Sequence, residues 1–192
     1  MKKILFVAAL MLSSVSTFAQ HAVGSFNLQP KVGVSIANLT EFKGTDPRVG
    51  VVAGVEGEYQ ASDIFSVSAG VLYSMQGAKG NIGNFIDATN RLDYINVPIM
   101  ANVYVVKGLA VKLGVQPGFN VSNKLKVNNL DAFDNPVVKA QSVDVSIPVG
   151  LSYEYNNFQL DARYNWGVSK AFKLTDAKNS VFQITLGYKF DL

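Results

Sequence analysis

Eight segments of this chain alternate bulky apolar residues with small or polar ones. In 180–190 (SVFQITLGYKF), Phe182, Ile184, Leu186, Tyr188 and Phe190 form one set, and Gln183, Thr185, Gly187 and Lys189 form the other. A period of two sustained over about ten residues is a strand whose two faces meet different surroundings. The segments predicted as strands are 28–39, 49–60, 65–76, 91–106, 109–122, 142–155, 158–168 and 180–190. The gaps between them alternate in length. Residues 40–48, 77–90, 123–141 and 169–179 are long links rich in Gly, Asn, Asp and Lys, as exposed loops are. Residues 61–64, 107–108 and 156–157 are short, and Lys-Gly and Asn-Asn suit tight hairpin turns. Strands in globular proteins have a modal length of about 5–6 residues, whereas a tilted strand needs about 9–11 to cross a bilayer. The pattern predicts an all-β fold, an eight-stranded antiparallel up-and-down transmembrane β-barrel.

Periodicity alone also fits a secreted lipocalin-like binder, in which the apolar face points inward. Residue size decides against it. The apolar set is large in the later strands, for example Leu109, Val111, Leu113, Val115, Phe119 and Val121. Eight strands enclose just enough interior for side chains to fill, and that set would overfill it. The alternate set is small: Gly33, Ser35, Gly54, Ser66, Ser68, Gly70, Gly114, Gly150, Ser152 and Gly187 suit a narrow lumen.

The polar face is also poor in charge, and its charges have both signs: Lys31, Glu56, Glu58, Lys112, Asp144, Glu154, Asp161, Arg163 and Lys189. Buried charges persist when paired and hydrogen-bonded, so these nine are predicted to form a lumen charge network. Aromatic residues sort by strand end. Tyr59, Phe65, Tyr153, Tyr155, Phe158, Tyr188 and Phe190 lie near short turns or the C-terminus, and Tyr73, Phe119, Trp166 and Phe182 lie near long links. Two aromatic bands flanking an aliphatic middle are the girdles of an outer-membrane barrel.

The chain's 192 residues suffice for one domain. Charged residues are 16% of the chain and apolar residues 48%, against about 25% charged in soluble domains. Residues 1–19 read as a signal peptide that is removed, leaving the barrel in 20–192. Lys2 and Lys3 precede an apolar core at 4–12, and Thr17 and Ala19 are the small residues before the cut. Beyond it no apolar run is long enough for a spanning helix. Without Cys there is no lipid-anchor site and no disulfide. Net charge is +3 without clustering of Lys and Arg, so no nucleic-acid partner is expected. Pro98, Pro117 and Pro148 fall inside strands, where local kinks or bulges are expected.

Little here points to chemistry. No catalytic residue, metal ligand set or cofactor site is predicted. The single His, His21, is expected in a disordered periplasmic N-terminus, so a His-dependent rim acyl transferase or deacylase is disfavoured. Glu56 and Glu58 share a face, as do Asp161 and Arg163, and read as structural ion pairs. Asp131 and Asp134 are oxygen ligands without the twelve-residue calcium-loop spacing. The run GAKGNIGN at 77–84 departs from the phosphate-cradling Gly pattern and reads as a mobile loop.

The stretches LDYINVPIMANVY (92–104), VGVVAGVEGEY (49–59) and FQITLGYKF (182–190) resemble the porin-like outer-membrane β-barrel family of PorT type. The resemblance covers the whole mature chain and implies an eight-stranded barrel. It also implies a C-terminal strand ending on an aromatic residue that the barrel-insertion machinery reads. Here Asp191 and Leu192 follow Phe190, so that signal is displaced. The expected protein is an integral outer-membrane barrel with periplasmic termini and extracellular long loops. It is non-enzymatic and probed by its surroundings through those loops, in an envelope structural or surface-interaction role. Its expected partners are outer-membrane lipid, lipopolysaccharide and the insertion machinery, and its expected state is a monomer. A narrow porin-like channel for small solutes is the alternative.

Overall fold

The structure is a computed structural model that describes residues 21–40, 45–82, 86–127, 130–134, 141–169 and 178–192. The predicted signal peptide therefore lies outside the described residues. The strands are β1 (Phe26–Leu39), β2 (Thr45–Ser62), β3 (Phe65–Ile82), β4 (Ile86–Asn96), β5 (Ile99–Val106), β6 (Leu109–Val127), β7 (Leu130–Asp134), β8 (Val143–Tyr155), β9 (Phe158–Gly167), β10 (Asn179–Tyr188) and β11 (Phe190–Asp191).

Neighbouring strands pair antiparallel in the order β10-β9-β8-β6-β4-β3-β2-β1, and β1 pairs back to β10 from Lys31↔Gly187 to Leu39↔Asn179. The sheet is thus closed. β4 and β5 share one position, since both pair β3 on one side and β6 on the other. β11 continues β10 along β1. The ring has the eight strands the alternation predicts. No described helix is long and apolar enough to cross a membrane.

The predicted fourth strand, 91–106, is two strands separated at Val97 and Pro98. Proline has no N–H to give to a ladder. The neighbours compensate: the Val97 N–H donates to the Pro117 carbonyl (2.8 Å), and the Pro98 carbonyl accepts the Gly70 N–H (3.1 Å). Pro117 and Pro148 stay inside β6 and β8, opposite Val145 and Asn165. Near Pro148 the β6–β8 pairing lapses between Leu113↔Val149 and Gln116↔Ser146 and then resumes in the same register.

Three short turns and both chain ends lie at one end of the ring. Gly108 has φ 82°, and Asn156 and Asn157 have φ 47° and 67°. Two consecutive left-handed residues give the tight turn whose twist matches flanking strands. The opposite end is taller than the sequence suggests. β3 and β4 stay paired out to Ile82↔Ile86, β4 and β6 out to Ala88↔Val127, and β7 folds back on β6 from Val127↔Leu130. The reading of 77–84 as a mobile loop is corrected: residues 77–82 belong to β3, and 83–84 lie outside the described residues. Most of 123–127 and 130–134 is likewise ladder, not loop. The sequence of these extensions lacks a sustained alternation of bulky apolar and small or polar residues, so the period of two does not mark them.

The two faces differ as predicted. Val32, Val55, Val111, Leu113, Val115, Leu151, Leu160 and Leu186 point outward and are exposed, while Ser35, Glu56, Ser66, Ser68, Asn102, Lys112, Arg163 and Thr185 are buried inside. Apolar residues outside and polar residues inside invert a soluble core, and they fit a barrel whose outer surroundings are lipid.

Candidate functional site, a charged lumen

At mid-height the lumen holds five charges from four strands. Lys31 on β1 lies 2.6 Å from Glu56 Oε2 on β2 and 3.3 Å from Asp161 Oδ2 on β9. Lys112 on β6 reaches the same Asp161 oxygen at 2.8 Å and Glu56 Oε2 at 3.9 Å. Arg163 donates to Glu56 Oε1 at 2.8 Å through Nη1 and to Asp161 through Nε (2.9 Å) and Nη2 (2.7 Å). All five side chains are essentially inaccessible. Three cations thus share two carboxylates, and the Arg fork spans both.

Small residues make the space. A Cβ on Gly70 would stand 2.6 Å from Glu56 Cγ, on Gly150 2.9 Å from Arg163 Cβ, and on Gly187 2.8 Å from Lys31 Cγ.

Toward the turn end a second cluster follows. Lys189 Nζ lies 3.1 Å from Glu58 Oε2 and 2.7 Å from Glu154 Oε2. Glu58 also accepts from Ser66 Oγ (2.5 Å), Gln29 Nε2 (2.6 Å) and the Tyr104 hydroxyl. The cluster ends at His21, which is buried, not disordered as the sequence suggested. Its Nε2 is 2.9 Å from Glu154 Oε1, and its Nδ1 is 2.9 Å from Asp191 Oδ1. Each ring nitrogen faces a carboxylate, the arrangement of a doubly protonated imidazolium. The hydrogen bond to Glu154 is the main cause that raises the His21 pKa above its usual value, opposed by burial and by nearby Lys189. The Leu192 N–H donates to the Phe26 carbonyl (3.0 Å), so the last residue is tied to the start of β1 at this mouth. A cavity of about 610 Å³ opens here, lined by His21, Lys107, Tyr153, Glu154, Tyr155, Asn156, Asn157 and Asp191.

Asp144 stands apart from the other eight predicted charges. It is buried toward the opposite end, and its partners are neutral: Asn179 Nδ2 donates to Oδ2 at 2.6 Å, and the Ser169 hydroxyl donates to Oδ1. No ion pair to it is found among the described residues. It borders a cavity of about 10 Å³ together with Gln76, Asn96, Gln116, Gly118, Ser146, Asn165, Asn179 and Val181. Apolar groups also enter this half: Val52, Leu72, Leu92, Tyr94 and Val181 are fully buried.

The aromatic residues face outward. Tyr59, Tyr73, Phe119, Tyr153, Tyr155, Phe158, Trp166, Phe182, Tyr188 and Phe190 are exposed, and Phe65 is half-buried. Phe158, Tyr188 and Phe190 stack along the turn end, with centroids 5.0 and 4.7 Å apart. Phe26 at the turn end and Tyr164 at the other are exposed members the sequence reading missed. Tyr164 shares a 2.7 Å hydroxyl contact with Ser180. The reading also missed His21, Asp191, Tyr104 and Asn179, whose roles come from partners remote in sequence. Among the described residues no three His, Cys, Asp or Glu side chains cluster as a metal site would need.

A closed ring of lipid-crossing strands with an ion-paired interior is the architecture of a small outer-membrane barrel. Residues 18–173, most of the chain, match the family described as outer membrane protein beta-barrel domain, and the chain belongs to that family. It is an outer-membrane protein. The match is to this broad family, without distinction of a PorT-type branch. No curated protein matches the chain. Among solved structures it is similar to Neisserial surface protein A (15% identity, 86% of this chain and 97% of that one, TM-score 0.55). It is similar also to Ail, the attachment invasion locus protein of Yersinia pestis, solved with the heparin analogue sucrose octasulfate (19% identity, 88% and 100%, TM-score 0.51). A third is OprG from Pseudomonas aeruginosa (16% identity, 88% and 97%, TM-score 0.51). At such identities the likeness is one of fold.

Proposed function

We propose that this barrel is a non-enzymatic envelope protein that works through its outer surface and not through its lumen. The observation that carries this reading is the central cluster of Lys31, Glu56, Lys112, Asp161 and Arg163, which links β1, β2, β6 and β9 through buried direct ion pairs. An ion path would have to open contacts of 2.6–2.8 Å that are shielded from water. The taller outer end supports the same reading. β3, β4, β6 and β7 stay paired at this end, a surface suited to contact with lipopolysaccharide or a neighbouring envelope component. The two aromatic bands set the height of the barrel in the membrane. The closed ring leaves no strand edge within the membrane for pairing with another chain, which supports a monomer. The insertion machinery meets it only during assembly.

Planar-bilayer recording tests this. The intact barrel is expected to give no stable openings. Arg163→Gln and Glu56→Gln, which open the central pairs, are expected to leak. Stable openings of the unaltered protein would overturn the reading in favour of a narrow channel.

A further inference from the structure

The outer half of the lumen contains a buried negative charge, Asp144, that is paired with no cation among the described residues. Asp144 sits six residues along β8 from Gly150, the position level with Lys112. Six strand residues span roughly 20 Å, so the central cluster does not neutralise it directly. A buried carboxylate held only by neutral donors bears a desolvation cost that a counter-ion would relieve.

The small cavity beside Asp144 has the right lining for one. Gln116 Oε1, Asn165 Oδ1 and Asn179 Oδ1 have no protein hydrogen-bond partner, nor do the amide nitrogens of Asn96 and Asn165, and these residues are at most 3% exposed. All of these residues line the same cavity as Asp144. Its volume of about 10 Å³ is close to what one water-sized sphere needs. Sodium ion is about that size and prefers such hard oxygen donors. A divalent ion fits less well: calcium takes 6–8 oxygens and usually several carboxylates, and magnesium keeps several waters.

We propose that the outer lumen binds one monovalent hard cation of sodium size on Asp144 and the amide oxygens of Gln116, Asn165 and Asn179. The ion balances the single carboxylate and gives the unpartnered amide oxygens a ligand. It would stiffen the meeting of β6, β8, β9 and β10 below the extracellular sheet. This does not depend on whether the central cluster conducts.

The test uses the full barrel folded in detergent micelles, melted in NaCl and in choline chloride at equal ionic strength. The melting temperature is expected to rise with Na⁺ by several degrees over choline. The ²³Na resonance is expected to broaden with protein and to narrow on competition. Asp144→Asn, nearly isosteric, is expected to abolish both effects. Gln116→Met, which keeps the shape and removes one oxygen, is expected to weaken the sodium response several-fold while leaving the melt in choline chloride within a few degrees. Equal melting in the two salts would overturn the proposal and assign the cavity to water. A sodium response that survives in Asp144→Asn would overturn it too.

Discussion

The two halves of the lumen handle buried charge differently. In the inner half every carboxylate finds a cation: Glu56 and Asp161 share three, and Glu58 and Glu154 share Lys189. In the outer half Asp144 is held by an amide and a hydroxyl. Direct pairs tie strands up to three positions apart around the ring, as Arg163 on β9 to Glu56 on β2. Neutral donors also reach across the ring: Asn179 on β10 donates to the Tyr94 hydroxyl on β4 (3.4 Å), and Gln183 on β10 to Ser74 on β3 (3.1 Å). The difference implies that loss of a shared inner carboxylate, Glu56 or Asp161, strands the cations that it holds.

The sharpest way to break that comparison is to remove one cation. Arg163→Met removes the donors to Glu56 Oε1 and Asp161 Oδ1, while Lys31 and Lys112 still balance the two carboxylates, and each buried oxygen left unbonded costs about 1–3 kcal/mol. Urea unfolding of the barrel in lipid vesicles should show this loss, and a change under about 1 kcal/mol would mean the cluster contributes little. Next comes the lipid face. Val115 is 51% exposed on the outer surface near mid-height, and Val115→Arg should cost about 2–4 kcal/mol by the same measurement. Gly114 beside it points inward, and an added Cβ would meet the Ile99 carbonyl and Met100 Sδ. Gly114→Ala should therefore destabilise by about 1–3 kcal/mol through crowding. In the outer half, Asp144→Asn in choline chloride should shift stability by about 1 kcal/mol or less, because a lost charge-assisted bond offsets a relieved burial cost.

The smallest effect concerns pH. The His21 pKa is raised chiefly by its bond to Glu154, and the groups around it are Glu154 on β8, Asp191 on β11 and Lys189 between β10 and β11. Its clasp is fully present below about pH 6.5, the undocked value, and is lost as pH rises through the higher docked value. Limited proteolysis near residues 21–25 should quicken as pH rises from 6 to 9, and His21→Ala should remove that dependence.

Much of the barrel is legible from residues alone because lipid imposes a rule on every crossing strand. Val111, Leu113 and Val115 must be apolar and their neighbours need not be, so the period of two survives. Nothing imposes such a rule on 77–82 or 123–127, and these ladders read as loops. The central charges were legible as a set because nine ionisable residues fell on the small-residue face. Their grouping was not. Nothing near Asp144 in sequence marks it as unpaired. His21 meets Glu154 133 positions away, a distance over which local pattern carries no information.

The seam between β1 and β10 joins residue 31 to residue 187. The first strand therefore cannot complete its pairing until nearly the last residue has been made. Contacts of such sequence separation give the chain a high contact order, and folding slows as contact order rises. Until the ring shuts, β1 and β10 each carry an open edge of unpaired amides and carbonyls, the form most prone to stick to other chains. The same closure that leaves the finished protein without edges makes its unfinished form one that must be shielded to the end.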